Sequence, residues 1–188
     1  MGGKIEAEFV ENFLVVWNPD DGSRLYGLGF YGKPVGIPKP KDADFEVPLI
    51  LDLMEGLYLL ERGVIDVTEK TGKGEKTKVR FRNLRKRARR LYEEFDKKYA
   101  VYRDLRDRGL IVTPGVKYGC DFAVYKQGPG IDHAPYLISV KSREDEITAS
   151  EIVKAGRLAT TVRKRFIIAV PDIEKDSIEY LIFRWFKA

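Results

Sequence analysis

The sequence predicts an α/β (α+β) protein built from two small domains, and three observations support this. The chain has 188 residues, enough for one large domain or two small ones. Strand-like segments with alternating or apolar residues occur towards both ends. Between them, residues 80–108 keep the three- and four-residue apolar spacing of a helix. We place the boundary near the start of that helix, which gives domains 1–78 and 79–188.

The N-terminal domain combines short strands with one clear helix. Residues Gly27-x-Gly29-x-x-Gly32 have the spacing of a dinucleotide fingerprint, but a proline-rich loop follows where that fingerprint requires a helix. We therefore assign no nucleotide site to them. The predicted elements are strands at 4–10, 13–17 and 64–67, turns at 18–22 and 71–76, a loop at 33–40, and a leucine-rich helix at 47–62 capped by Gly63.

The C-terminal domain is strand-rich after Gly109, which ends the long helix. The simplest fold for 110–188 is a mixed sheet covered by a helix. A capping box, Thr148-x-x-Glu151, opens that helix. The predicted elements are strands at 110–113, 121–125, 135–141, 166–170 and 178–186, a helix at 149–162, and an acidic loop at 171–176.

The composition favours a polyanionic partner and a reducing compartment. The 34 Lys and Arg residues exceed the 29 Asp and Glu residues, giving a formal charge of +5. Cys120 is the single cysteine, so neither an internal disulfide nor a Cys-rich metal site is possible. A charged N-terminus and the lack of a long apolar run predict a cytoplasmic protein without a membrane span. Scarce Asn and Gln with abundant Lys, Arg and Glu predict a thermophilic source.

Three residues, Tyr125, His133 and Lys164, are the candidate catalytic residues. His133 is the only histidine and follows a Gly-Pro-Gly loop, and an imidazole with its ordinary pKa of ~6.5 suits a general acid or base. Tyr125 closes a strand, which usually indicates packing, and a phenol with a pKa of ~10 needs nearby cations to act as a base. Lys164 lies in a basic run that also suits a solvated helix end. Together they supply a base, an acid and a phosphate-binding cation for cleavage of an RNA phosphodiester.

Around these residues the sequence resembles the archaeal tRNA-splicing endonuclease family. The segments that carry the resemblance are Tyr102–Gly109, Gly115–Tyr125, His133–Leu137, Arg157 with Val162–Arg165, and Leu57–Gly63 in the N-terminal half. The resemblance spans most of the chain and implies an N-terminal α/β domain and a nuclease-like (restriction-endonuclease-like) C-terminal domain. Cys120 and Ala123 depart from the family pattern, in which a small residue and an arginine are usual.

The resemblance also implies an activity and the role of each site residue. Members cut introns from precursor tRNA at a bulge-helix-bulge, without metal or cofactor, and leave 2′,3′-cyclic phosphate and 5′-hydroxyl ends. Tyr125 matches the general base, His133 the general acid and Lys164 the lysine that stabilises the transition state. Arg157 matches an arginine that clamps a bulge base, and Arg184 is the candidate for the second RNA-binding arginine.

The resemblance further implies an oligomer in which this chain is the catalytic subunit of an α2β2 assembly with a structural subunit, or else a homo-oligomer. The proline-rich segment 33–48 looks like an insertion found in the two-subunit enzymes. The acidic residues Asp172, Glu174 and Asp176 resemble a loop that plugs into a neighbouring dimer. The apolar segment 181–183 resembles a strand that pairs across a subunit interface.

Two alternatives stay open at this point. A metal-dependent nuclease of the PD-(D/E)xK type would use a lysine such as Lys141, but Ser139 stands where its acid is expected. A non-catalytic RNA-binding or structural subunit would need only the basic helix at 80–90.

Overall fold

The computed structural model describes residues 3–38, 40, 42–72, 74–131, 133–161 and 164–182, and it contains two compact units. They divide between Phe95 and Asp96. The sequence pattern places the boundary earlier, near residue 78, and that boundary stays a prediction. The predicted α/β class is confirmed, because both units contain a mixed sheet and helices. Within the described part of the chain, no helix combines the length and the apolar character needed to cross a membrane.

The first unit is built on a six-stranded sheet with the order β3-β4-β2-β1-β5-β6. β1 and β5 are parallel, and the other neighbouring pairs with described register are antiparallel. The elements are β1 (Ile5–Val10), β2 (Phe13–Val16), α1 (Pro19–Gly29), β3 (Lys33–Pro34), β4 (Leu49–Leu51), α2 (Leu53–Glu61), β5 (Ile65–Lys70), β6 (Lys76–Lys78) and α3 (Phe81–Leu91).

The turn predicted at 18–22 is wrong, because α1 begins there. The Asn18 side chain accepts a hydrogen bond from the Asp21 backbone N–H at 3.1 Å, and Pro19 occupies the first turn. Asn, Pro and Asp favour turns and helix starts alike, so this run fits both. Gly32, the last glycine of the rejected fingerprint, has φ +76° and leaves no room for a Cβ beside the Ile50 carbonyl oxygen. Its role in this structure is therefore a tight backbone approach.

The helix predicted at 47–62 is wrong in its first part, where Leu49–Leu51 forms β4. A reciprocal capping box starts α2 instead: Glu55 N–H donates to Asp52 at 2.8 Å, and Asp52 N–H donates to Glu55 at 3.1 Å. The predicted cap at Gly63 is confirmed by its left-handed φ of +69°. The loop predicted at 33–40 is wrong at its start, where Lys33–Pro34 forms β3. The sequence pattern also missed β6, a short exposed strand.

The single helix predicted at 80–108 is two helices, α3 and α4 (Phe95–Asp107). Glu94 between them has φ +51°, a left-handed conformation that interrupts the helical path. The apolar spacing continues across the break, so periodicity alone did not reveal it.

The second unit is built on a five-stranded sheet with the order β11-β10-β9-β8-β7. β9 and β10 are parallel and α5 connects them, whereas the other neighbouring strands are antiparallel. The elements after α4 are β7 (Ile111–Pro114), a 3-10 turn (Val116–Tyr118), β8 (Phe122–Tyr125), β9 (Tyr136–Val140), α5 (Ala149–Thr161), β10 (Arg165–Asp172) and β11 (Ser177–Ile182).

The predicted capping box of α5 is confirmed. Thr148 N–H donates to the Glu151 carboxylate at 2.9 Å, and Glu151 N–H donates to the Thr148 hydroxyl at 3.2 Å. The predicted strands of this unit are confirmed within one to two residues. The acidic loop predicted at 171–176 is shorter than expected, because β10 extends to Asp172. The last strand was predicted to reach residue 186, and its end lies outside the described residues.

Candidate active site

Lys164 immediately precedes β10 and lies at the edge of the five-stranded sheet where β9 and β10 begin. Its ammonium Nζ donates to the Ala134 carbonyl oxygen at 2.6 Å, and only 9% of the residue is exposed. The same ammonium lies 5.2 Å from the centre of the Tyr118 ring, within the range of a cation–π contact. Next to it, Arg165 N–H donates to the Pro135 carbonyl at 2.8 Å and joins the two strand starts. Lys164 is thus fixed in position rather than extended into solvent.

His133 immediately precedes the residue that holds Lys164. The loop before it turns at Gly128 and Gly130, both with positive φ, and Ile131 N–H closes the turn on the Gly128 carbonyl at 3.1 Å. His133 is exposed, whereas the adjacent Ala134 is 2% exposed. The backbone is therefore anchored at Ala134 while the imidazole stays accessible to a substrate.

Tyr125 ends β8 at the same edge of the sheet. β8 and β9 are antiparallel with Val124 opposite Tyr136, so the end of β8 lies beside the start of β9. Tyr125 is half-buried and packs against a small core cluster formed by Ala123, Ala134 and Leu137. Ala134 thus links the three predicted catalytic residues: it follows His133, it packs in the cluster that Tyr125 covers, and its carbonyl binds Lys164.

The contacts of Lys164 are unusual for a nearly buried lysine. A nearly buried ammonium ordinarily has a carboxylate partner, because desolvation of a lone charge is costly. Within the described ranges, Lys164 instead has one carbonyl and one aromatic face. Both attract a cation without cancelling its charge. Among the described residues, no carboxylate therefore offsets the positive charge that Lys164 presents to an incoming anion.

Tyr118 is the residue that sequence analysis did not single out. It packs against the same Ala123–Ala134–Leu137 cluster and lies beneath the Lys164 ammonium. Tyr118 is one of the ten tyrosines of the chain and lies in a short 3-10 turn, so its sequence context does not distinguish it. Only the fold brings it to Lys164.

The two departures from the family pattern fit locally. The Cys120 thiol contacts the Gly115 and Phe122 carbonyl oxygens, each at 3.5 Å from Sγ. A Cβ on Gly115 would lie 2.6 Å from that sulfur, so the glycine allows the cysteine to fit. Ala123 is 2% exposed and belongs to the cluster itself.

The two predicted RNA-binding arginines are placed differently. Arg157 is exposed on α5, seven residues before Lys164 in the chain. Arg184 lies outside the described residues.

The lysine of the metal-nuclease alternative lies elsewhere in the same unit. Ser139 and Lys141 line a cavity of about 70 Å³ beneath the start of α5. The Lys141 ammonium donates to the Glu151 carboxylate at 2.8 Å, which raises the pKa of Lys141. The same hydrogen bond, with the bonds from Thr148, lowers the pKa of Glu151 to about 2. Among the residues that the structure describes, no three His, Cys, Asp or Glu side chains cluster closely enough to ligate a metal ion.

Comparison with known proteins assigns both halves of the chain. Residues 95–180 match the family described as tRNA intron endonuclease, catalytic C-terminal domain, and residues 5–79 match its N-terminal domain. The chain belongs to the tRNA intron endonuclease family. The resemblance inferred from the sequence is thereby confirmed.

Several relatives of this endonuclease family cover nearly the whole chain. A tRNA-splicing endonuclease of Hyperthermus butylicus is 49% identical over 173 residues, covering 92% of this chain and 93% of that protein. Proteins of the same name from Saccharolobus islandicus and Saccharolobus solfataricus are 41% and 40% identical over 184 residues, covering 97% of this chain and 99% of each relative. These relatives are archaeal, as expected from the resemblance. Family membership supports an endonuclease of tRNA splicing as the function.

Proposed function

We propose that this chain is the catalytic subunit of a tRNA-splicing endonuclease that excises introns from precursor tRNA at bulge-helix-bulge sites by metal-independent transesterification. The single observation that carries the proposal is the nearly buried Lys164 ammonium. It is held by a carbonyl and a ring, and it lies at the sheet edge that also carries Tyr125 and His133. A phosphodiester is an anion of the kind that such a cation attracts.

In the proposed reaction the RNA supplies its own nucleophile. Tyr125, as phenolate, accepts the proton of the 2′-hydroxyl, and the 2′-oxygen attacks the adjacent phosphorus. The bond from phosphorus to the 5′-oxygen breaks, and His133 as imidazolium protonates that oxygen. The products are a 2′,3′-cyclic phosphate and a 5′-hydroxyl, so the enzyme is a lyase in reaction type. No cofactor takes part in this scheme.

Lys164 has two roles in this scheme. Its ammonium stabilises the extra negative charge that the phosphate oxygens develop in the transition state, an effect that is large in a partly desolvated site. A cation at this edge also favours the phenolate form of Tyr125 that the base must adopt.

The substrate grip and the assembly are part of the same proposal. Arg157 is the proposed clamp on a bulge base, with Arg184 as the second arginine, and the clamp requires a second chain. An α2β2 assembly with a structural subunit is favoured over a homo-oligomer. Supporting features are the edge position of β11, whose Leu181 and Ile182 are about half exposed, and the exposed acidic residue Glu174 before it. The proposed compartment is the cytoplasm, where a cysteine thiol such as that of Cys120 stays reduced.

The proposal is tested by incubating the purified chain, with and without a candidate structural subunit, with intron-containing precursor tRNA in EDTA. We expect excision of the intron and cyclic phosphate ends, detected by end-group analysis. A substrate with a 2′-deoxy residue at the cut site should resist cleavage, because it lacks the nucleophile. Normal cleavage of the deoxy substrate would contradict the scheme. Activity that requires Mg²⁺ would favour the metal-nuclease alternative, and binding without cleavage in either assembly would favour a non-catalytic subunit.

His133→Ala tests the general acid directly. We expect a loss of cleavage of about 10²- to 10⁴-fold, the usual range for removal of a general acid or base. RNA affinity and melting temperature should change little, because the residue is exposed. Ile131→Ala is the matched control, since Ile131 is an exposed residue (63%) of the same loop. Comparable losses in both variants would assign the effect to the loop rather than to the imidazole.

A further inference from the structure

The positive charge of the chain is concentrated in α3 and the residue before it. Seven of the 34 Lys and Arg residues lie between Arg80 and Arg90, and no acidic residue occurs between Glu75 and Glu93. The rest of the chain therefore holds 29 acidic residues against the remaining 27 basic ones. The net basic character that favours a polyanionic partner comes from this one helix.

Three of these cations form a continuous row. Arg82, Lys86 and Arg90 recur every four residues, so they lie on one face of α3 and span about 12 Å along it. All three are exposed, and none has a carboxylate partner among the described residues. We call these three residues the basic row. Leu84 and Ala88, both 0% exposed, anchor α3 through a different face.

Arg87 shows what a structural arginine looks like on the same helix. Its guanidinium donates to the Glu69 carboxylate at 2.6 Å, and it lies over the Phe9 ring at 4.4 Å from the centre. The charge of Arg87 is thus offset by Glu69 within the first unit. The charges of the basic row have no such carboxylate partner among the described residues.

The basic row works against the stability of its own helix. Like charges four residues apart repel each other, and Arg82 in the first turn opposes the helix dipole. Arg80 occupies the N-cap position without a side-chain capping hydrogen bond, and the first turn contains no acidic residue. A polyanion bound along the row would convert this repulsion into attraction.

We propose that Arg82, Lys86 and Arg90 form a binding surface for the phosphate backbone of the RNA substrate. The proposal rests on the proposed function, which makes the substrate a precursor tRNA. The chemistry favours RNA over an acidic protein, because protein interfaces have apolar cores and few charged residues at their centre. Within α3, the only exposed large apolar residue is Leu91, at the very end. The row binds backbone charge and therefore contributes affinity without reading sequence.

The test compares two triple variants of the full chain that remove equal charge. R82Q/K86Q/R90Q removes the basic row. The control K4Q/K76Q/K78Q removes three exposed lysines that are ion-paired with Asp66 or Glu6. The probe is precursor tRNA with a 2′-deoxy residue at the cut site, and its affinity is measured by fluorescence anisotropy over a series of KCl concentrations.

We expect the basic-row variant to bind about 10- to 100-fold more weakly near 100 mM salt. The slope of log K against log salt should fall by about 2 to 3, close to one for each lost phosphate contact. The control should stay within about threefold of the unmodified chain with its slope unchanged. If the triple variant does not fold, the single variants R82Q, K86Q and R90Q should each lower the slope by about 1.

Two results would overturn this proposal. One is an unchanged affinity and slope in the basic-row variant. The other is an altered oligomeric state, seen by light scattering, with RNA binding intact, because that result would make the row a protein interface. A failure of the proposed chemistry looks different. It would appear as cleavage that does not depend on the 2′-hydroxyl or His133. The affinities and salt slopes of the two triple variants could still be compared.

Discussion

Lys141 precedes α5 in the chain and Lys164 follows it, and the two lysines differ in how their charge is balanced. Before the helix, Lys141 follows β9 and donates to Glu151 in the first turn of α5. After the helix, Lys164 precedes β10 and donates to a backbone carbonyl while lying over an aromatic ring. Lys141 is the more exposed of the two, yet it is the one with a carboxylate partner.

Under the proposed function, this difference separates a structural lysine from the lysine that binds the phosphate. The Lys141–Glu151 pair ties the end of β9 to the start of α5, and each charge neutralises the other. The contacts of Lys164 fix its position but leave its charge available. Lys141, which resembles the lysine of a metal nuclease, therefore has a carboxylate partner. Lys164, which is proposed to act on a phosphate, has none among the described residues.

The strongest test of this comparison substitutes both lysines with a side chain of similar length. Lys164→Met should lower the single-turnover cleavage rate by about 10²- to 10³-fold, the usual cost of removing one transition-state donor. Lys141→Met should lower it by less than about threefold. Rapid-quench assays at saturating precursor tRNA measure both. Equal losses in the two variants would show that Lys141 and Lys164 do not differ in their contribution to cleavage.

A smaller effect should come from the ring that supports Lys164. Tyr118→Leu removes a cation–π contact worth about 0.5–2 kcal/mol, which corresponds to a rate loss of about 2- to 30-fold. We expect the loss in kcat rather than in KM, because the ring positions the ammonium and does not bind the RNA. Tyr118→Phe keeps the aromatic face and should restore most of the activity. A Phe variant as slow as the Leu variant would show that the hydroxyl, not the ring, is required.

The smallest expected effect is on stability, and it concerns how the contribution of the Lys141–Glu151 pair depends on pH. The pKa of Glu151 in the folded chain is about 2, below its ordinary value of 4.5, so its bonds with Lys141 and Thr148 stabilise the fold above pH ~4.5. That stabilisation is lost as the pH falls from ~4.5 towards ~2. Glu151→Gln should lower the melting temperature by only about 1–4 °C at pH 7, because the pair is partly exposed. The gap from the unmodified chain should close on acidification, as followed by circular dichroism. A gap that widens at low pH would contradict this assignment.

The sequence patterns were most reliable where a single physical signal acts alone. The strands of the second unit follow from short apolar runs between turn residues, and the α5 capping box follows from Thr148 and Glu151. The errors arose where two structures share a signal. Asn18-Pro-Asp-Asp reads as a turn or as a helix start, and the leucine spacing from Leu49 fits a helix although the first leucines form a strand. Backbone hydrogen bonding resolves both cases: Leu51 lies opposite Leu14 in the sheet, and Asp21 N–H donates to the Asn18 side chain.

The sequence by itself determined the two mixed α/β halves, the basic helix and the residue types available for the proposed chemistry. These follow from periodicity, charge and side-chain chemistry, which are local properties. The tertiary structure decided which residues meet. It placed Tyr125 and His133 at one sheet edge with Lys164, anchored them through Ala134, and added Tyr118. Strand order and the α5 crossover depend on contacts between distant segments, and no short stretch of sequence contains that information.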